Sequence, residues 1–284
     1  MEQVYSLKNA QSFEPVHIFE CGQCFRWNKQ EDGSYTGIFG NNVLNVKKEN
    51  NNIIFSGICD GNIEAVCTHY FDLNSNYEEK KEAISSIDKY LANSIKYGNG
   101  IRILHQDLWE TLISFIISAN NNIPRIKGII EKISKKYGKK ITFREKEFYT
   151  FPTPIELSTA SVQDLRALGL GFRDVRVYET TRRVLSKEID LCELQNQNDV
   201  IKLKEDLLKI PGVGPKVADC IMLFALQKYQ VFPVDVWVRR VISELYFNGE
   251  EQSTKVIQNF AKNKYGALAG LAQQYLFYWR RDTA

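Results

Sequence analysis

Two side chains stand out for the chemistry they could share. Lys216 follows a turn bracketed by glycine and proline in KIPGVGPKVADC, residues 209 to 220, and Asp235 sits in the later segment VFPVDVWVRR. A lysine amine is a nucleophile only when neutral, and its ordinary pKa is about 10.4. A helix N-terminus and partial burial both lower that value. A lysine beside a carboxylate is a constellation for displacing a leaving group at a sugar carbon through a cationic transition state. Each residue also has a plainer explanation. Lys216 can offer a point charge to a phosphate, and Asp235, placed between an extended stretch and a helical pattern, is a natural N-cap. In the helix after the turn Lys216, Asp219 and Cys220 fall at i, i+3 and i+4, so all three point toward one side.

The turn is inconsistent with two familiar phosphate binders. A P-loop needs a serine or threonine directly after its lysine to hold a metal ion, and here Val217 follows. A dinucleotide-binding turn needs a strand ahead of it, whereas VIKLKEDLLKI has the apolar spacing of a charge-rich helix. What remains is helix, tight hairpin, helix. Gly212 and Gly214 permit positive φ and close backbone approach, Pro211 and Pro215 fix the entry and the first turn of the next helix, and such a hairpin can offer its amides to a nucleic-acid backbone.

The elements that must position these residues divide the chain in two. From residue 13 to about 70 short β-prone runs alternate with turn residues, with hairpin turns expected at Asp32-Gly33 and Asn41-Asn42. Residues 77 to 97 switch to one helical pattern carrying Ile84, Ile87, Leu91 and Ile95. Gly98 and Gly100 interrupt it, and a boundary is expected there, giving a sheet domain over 1–99 and a helical domain over 100–284. Everything after Gly100 reads as helix, including one capped by Asp107, one closed by Gly138, and one opened by Ser161 with Asp164 in capping-box positions. The expected class is α+β, an antiparallel sheet with flanking helices followed by a mostly helical domain.

Composition sets outer limits. The 284 residues, 44% hydrophobic and 25% charged, suffice for two domains with buried cores. The net charge of +3 does not imply nucleic acid by itself, but Arg125 to Lys146 holds nine Lys or Arg against two Glu. That stretch reads equally well as a solvated face or as a phosphate-tracking patch. The six cysteines are scattered, and no second pair or histidine cluster completes a metal site with Cys21 and Cys24, so no metal is expected. The N-terminus lacks the apolar core of a signal peptide and no apolar run reaches membrane-spanning length, so an intracellular location with free thiols, cytoplasmic or nuclear, is expected.

The hairpin LKIPGVGPKVADC followed by PVDVWVRR resembles the helix-hairpin-helix DNA glycosylases with a Gly/Pro-rich loop and a downstream aspartate, and among them the 8-oxoguanine DNA glycosylases. CGQCFRWN, SANNNIPRI, LGLGFRD and GLAQQYLF resemble that family's motifs in the same order and extend the likeness over most of the chain. The resemblance implies a base-excision repair enzyme, a bifunctional glycosylase and AP lyase. Lys216 would attack C1′ and form a Schiff base, and Asp235 would stabilise the oxocarbenium-like transition state. In the base pocket Gly22 would accept from N7–H, Gln273 would read the Watson–Crick edge, and Phe277 with Cys220 would sandwich the ring. Asn120 would fill the vacated stack beside the wedge Phe172, Arg125 and Arg173 would bind the estranged cytosine, and Gly212, Val213, Gly214 and Trp237 would hold the DNA backbone. The implied partner is double-stranded DNA carrying 8-oxoguanine opposite cytosine, bound by a monomer with no cofactor and no membrane. The chain departs from the family pattern at Phe172, where many members have tyrosine, at Cys24 for a common serine, and at Trp237, where relatives often have histidine. It also lacks the four spaced cysteines of the iron–sulfur branch.

Overall fold

The computed structural model describes residues 1–283. The β-prone runs form one antiparallel sheet of β1 Gln3–Leu7, β2 Trp27–Lys29, β3 Tyr35–Phe39, β4 Asn42–Glu49 and β5 Asn52–Ile58, in the order β1-β5-β4-β3-β2. The edge strand β1 was not expected; it is short and alternates half-buried with exposed residues, so it carries little apolar signal. Asp32 and Gly33 lie in the β2–β3 turn, where Gly33 has φ +80. The β3–β4 turn falls one residue earlier than expected, on Gly40 and Asn41 with Phe39 facing Asn42. A two-residue turn wants positive φ at its first central position, and Gly40 supplies +51. Behind the sheet Phe19, Trp27, Tyr35, Leu44, Phe55 and Phe71 form one buried cluster, with Phe19 stacked on Trp27 at 4.0 Å.

The pattern from 77 to 97 gives two helices, Tyr77–Ser85 and Lys89–Tyr97, rather than one. The Asp88 carboxylate accepts from the backbone N–H of Tyr90 and Leu91, each at 3.0 Å, and so starts a new helix. Ile84, Leu91 and Ile95 are buried in the helical core together with residues such as Leu112, Ile221 and Tyr275. Packing therefore draws these two helices, which precede Gly98, to the helical side. The reverse holds for a segment beyond Gly100. Residues 140 to 149 were expected to be helical or loop, yet β6 Lys140–Phe143 and β7 Lys146–Tyr149 form a hairpin. Phe143 and Phe148 lie against Ile38, Val43 and Ile58 of the sheet, and Arg144 Nη2 donates to Ser56 Oγ at 2.8 Å. Its turn residues are Arg144 and Glu145, both at positive φ without glycine or asparagine, so turn chemistry gave no warning.

The remaining helices follow the apolar spacing. Leu108–Ser118 is capped by Asp107, Ile123–Tyr137 by Asn122, and Val162–Ala167 by a Ser161–Asp164 capping box. Thr254–Tyr265, capped by Ser253, and the short Pro154–Leu157 and Leu191–Asn196 were not singled out in the sequence. In the basic stretch Lys136, Lys139 and Lys140 pair with Asp164, Glu156 and Glu147, and Lys127 donates to the Trp27 carbonyl at 2.5 Å. Much of its charge is thus used within the fold. Among the described residues no helix is long and apolar enough to cross a membrane.

Candidate active site

The hairpin joins the helices Val200–Leu208 and Pro215–Phe224. Gly212 sits at φ +85, and a Cβ there would come within 2.9 Å of Arg176 Cδ and 3.1 Å of Ile116 Cγ2, so conformation and space both demand glycine. Gly214 was expected to need the same freedom. It has φ −94, caps the helix without a side chain, and meets nothing within 4 Å. Its missing side chain leaves the surface outside the helix N-terminus open, where amide N–H groups face outward. Val213, expected on the DNA backbone, is buried and its N–H is already bonded to the Ile210 carbonyl at 3.0 Å. Its part in the hairpin is to anchor it.

One helical step beyond Pro215, Lys216 enters a cleft open to solvent. Its lining includes Gly22, Phe115, Cys220, Asp235, Gln273 and Phe277, from five separate elements of the chain. Asp235 is the N-cap of Val236–Tyr246, and one carboxylate oxygen accepts from the Val238 N–H at 2.8 Å. Cap and cleft wall are therefore the same residue. Gly22 has φ +82, and a Cβ there would lie 3.5 Å from Phe277 Cε1. The loop bearing Gly22 is tied down by the fully buried Gln23: its Nε2 donates to the carbonyls of Ile18 at 2.9 Å and Arg102 at 2.7 Å, and its Oε1 accepts from Leu104 N–H at 2.9 Å. Gln273 and Phe277 come from the C-terminal helix Ala269–Thr283. Phe115 and Gln274 complete the wall without having been found in the sequence; Phe115 looked like ordinary core in an apolar helix, and only its neighbours reveal otherwise.

Lys216 Nζ lies 5.1 Å from the centroid of the Phe115 ring. Burial pushes the Cys220 thiol up to about 11, against the opposing pull of Lys216, so Cys220 is a neutral wall rather than a competing nucleophile. Asp219, expected on the same side as Lys216, instead turns into the core. It pairs with Lys204 at 2.7 Å and accepts from Gln258 Nε2 at 2.7 Å, and burial raises its carboxyl to about 6. It binds the lysine helix to the two helices beside it. Burial also raises the thiols of Cys21 and Cys24.

A second group of residues clusters around the turn after Ser118. Asn120 is exposed with φ +50, and Phe172 is 54% exposed. The guanidinium carbons of Arg173 and Arg176 lie 4.2 and 5.2 Å from the Phe172 ring centroid. Arg125 is exposed and donates to the Gly169 carbonyl at 3.2 Å. Arg173, expected beside Arg125 on the estranged base, is only 2% exposed. Its guanidinium donates to the carbonyls of Ala119 at 2.7 Å, Leu170 at 3.1 Å and Asn120 at 2.6 Å. In this conformation it shapes the turn that presents Asn120. Burial, then the charges of Arg125 and Arg176, lower its pKa. Trp237 is half-buried and its indole Nε1 has no partner among the described residues. No three His, Cys, Asp or Glu side chains among the described residues come together as metal ligands.

Residues 6–112 match the family described as 8-oxoguanine DNA glycosylase, N-terminal domain, and residues 113–265 match the HhH-GPD superfamily base excision DNA repair proteins. The chain belongs to the HhH-GPD superfamily. A curated relative, the probable N-glycosylase/DNA lyase of Methanothermobacter thermautotrophicus, is 34% identical over 229 residues, covering 74% of this chain and 72% of the relative. The structure of the Clostridium acetobutylicum 8-oxoguanine glycosylase/lyase in its apo form aligns with a TM-score of 0.92 at 43% identity, over 98% of this chain and 97% of that one. The same enzyme in complex with double-stranded DNA containing cytosine opposite 8-oxoguanine aligns with a TM-score of 0.94 at 42% identity, over 100% and 98%. The sheet half, matched by the N-terminal domain family, and the helical half, matched by the HhH-GPD superfamily, are thus both present in this chain in the arrangement of those structures.

Proposed function

We propose that this chain excises 8-oxoguanine from double-stranded DNA and then nicks the strand, with Lys216 as nucleophile. The observation that supports this best is the single cleft in which Lys216, Asp235, Cys220, Gly22, Gln273 and Phe277 meet. A base inside a duplex cannot reach such a cleft, so the nucleotide must flip out at a cost of a few kcal/mol. The exposed Asn120 and Phe172 are the candidates to fill the gap, with the exposed Arg125 exchanging its bond to the Gly169 carbonyl for a cytosine left behind. Flipped in, the ring would lie between Phe277 and Cys220, its N7–H on the Gly22 carbonyl and its Watson–Crick edge on Gln273.

The neutral Lys216 amine forms a bond to C1′ as the C1′–N9 bond breaks, and the base leaves with the electron pair and takes up a proton. The Asp235 carboxylate stabilises the positive charge that builds on the sugar. The ammonium then gives up a proton, the C1′–O4′ bond breaks with O4′ taking up a proton, and the opened sugar is held to Lys216 as a Schiff base. Removal of a C2′ proton then expels the 3′ phosphate by β-elimination.

Borohydride reduces a Schiff base to a stable amine, so wild-type protein with an 8-oxoguanine·cytosine duplex should give a covalent adduct that Lys216→Gln does not. Absence of the adduct, or an equal yield from the variant, would remove Lys216 as nucleophile. Equal excision of an alkylated purine would move the assignment to another lesion class.

A further inference from the structure

Adjacent residues on a helix lie 100° apart, so two neighbours rarely share a site. Gln273 and Gln274 do. They are 4% and 3% exposed and both line the cleft with Lys216 and Asp235. Gln274 Nε2 donates to Gln273 Oε1 at 2.8 Å. Gln274 Oε1 is buried with no partner among the described residues, whereas Gln273, whose Oε1 is taken by Gln274, lines the cleft with its Nε2 unpaired among the described residues. We infer that Gln274 is a positioning residue that fixes which atom of the Gln273 amide faces the flipped base. This inference rests on the proposed reading that Gln273 meets the Watson–Crick edge.

Turning both amides over would let Gln273 Nε2 donate to Gln274 Oε1 and would present Gln273 Oε1 to the cleft. It would also leave the Gln274 amino group buried with both N–H donors unused. Buried donors without partners are rarer in folded proteins than under-used carbonyl oxygens. The observed arrangement, with the carbonyl as the orphan, is accordingly the favoured one, and the cleft sees a donor. At the corresponding edge positions 8-oxoguanine offers the O6 acceptor and then the N1–H donor, while 8-oxoadenine offers the 6-amino donor and then the N1 acceptor. A fixed amide therefore distinguishes these bases by the order of donor and acceptor, and a freely rotating amide does not.

The test compares wild type with Gln274→Met, which keeps the side-chain length but cannot hydrogen-bond the amide, and with Gln274→Ala as a second removal. Single-turnover excision is measured on duplexes carrying 8-oxoguanine or 8-oxoadenine, beside borohydride trapping on an abasic duplex, which needs no base recognition. The expected result is a fall of about ten-fold or more in the 8-oxoguanine to 8-oxoadenine rate ratio, the scale of one misaligned polar contact, with abasic trapping within two-fold of wild type. An unchanged ratio in whichever variant still traps abasic DNA overturns the role of Gln274 alone. Parallel loss of excision and abasic trapping in both variants also overturns it, since that makes Gln274 a general structural residue. A wild-type protein that excises neither base overturns the underlying reading, and with it this one.

Discussion

Asp235 has two duties in one carboxylate, and substitution can separate them. It caps the helix Val236–Tyr246 through Val238 N–H at 2.8 Å, and it lines the cleft that Lys216 enters. Asparagine caps as well as aspartate, so Asp235→Asn should leave stability almost unchanged while removing the charge. Asp235→Ala removes both and should cost about 1 kcal/mol, which for a chain of this size is a fall of roughly 2–4 °C in Tm. A unit charge about 4–5 Å from the developing sugar cation, at an effective dielectric constant of about 20, is worth ~3–4 kcal/mol. That corresponds to a fall of roughly 10²–10³-fold in the rate of base excision. Single-turnover excision on an 8-oxoguanine·cytosine duplex, with thermal unfolding of the same preparations, reads both. Both variants should be slow and only alanine destabilised. Asp235→Asn within a few-fold of the wild-type rate would reduce Asp235 to a cap, and equal destabilisation by asparagine and alanine would refute the cap geometry.

The arginines of the Asn120 turn should part company: Arg173→Ala strands three carbonyls and should lose about 2–4 kcal/mol in denaturant unfolding, while the exposed Arg125→Ala should leave stability within about 0.5 kcal/mol and weaken binding to a duplex with cytosine opposite the lesion more than to duplexes with other opposite bases. Gly22→Ala places a side chain at φ +82 beside Phe277; a loss of about 1–2 kcal/mol is expected, with excision falling more than abasic trapping, and a neutral result in both assays would remove Gly22 from the pocket. Asp219 has a folded pKa of about 6, above its unfolded value of about 3.9, so the native state binds the extra proton and this group's contribution to stability falls as pH rises from about 4 to 6. The slope there should approach 1.4 kcal/mol per pH unit, and Asp219→Asn should flatten it in unfolding curves taken across that range. Native-state alkylation read by mass spectrometry should label the exposed Cys192 well before the buried Cys220, and equal rates would contradict the closed pocket wall.

Local signals were legible wherever a short stretch settles its own backbone. Asp107, Ser161 and Asp235 cap helices because a small polar side chain can reach the next turn's amides within its own segment. The turn at Gly212 and the alternation in the sheet are local in the same sense. The chemistry-bearing pair Lys216 and Asp235 could be picked out for the same reason, since nucleophile, cap and spacing are all written within some thirty residues. The hairpin at 140–149 escaped because its lysine-rich strands gain their stability from Ile38, Val43 and Ile58, about a hundred residues away. The break at Asp88 escaped because the apolar spacing continues across it while the backbone does not.

What only the tertiary structure decided is where side chains end up once distant segments pack. Asp219 and Arg173 looked like members of the working surface, yet the first is spent on Lys204 and Gln258 and the second on three backbone carbonyls. Phe115 and Gln274 became cleft walls because the helices at 108–118, 215–224 and 269–283 converge with the loop around Gly22. Helical periodicity says which residues share a face, but which face meets solvent, core or cleft depends on partners far along the chain. By itself the sequence determined the chemical groups and their local backbone frames; the fold determined which of those groups are left free to act.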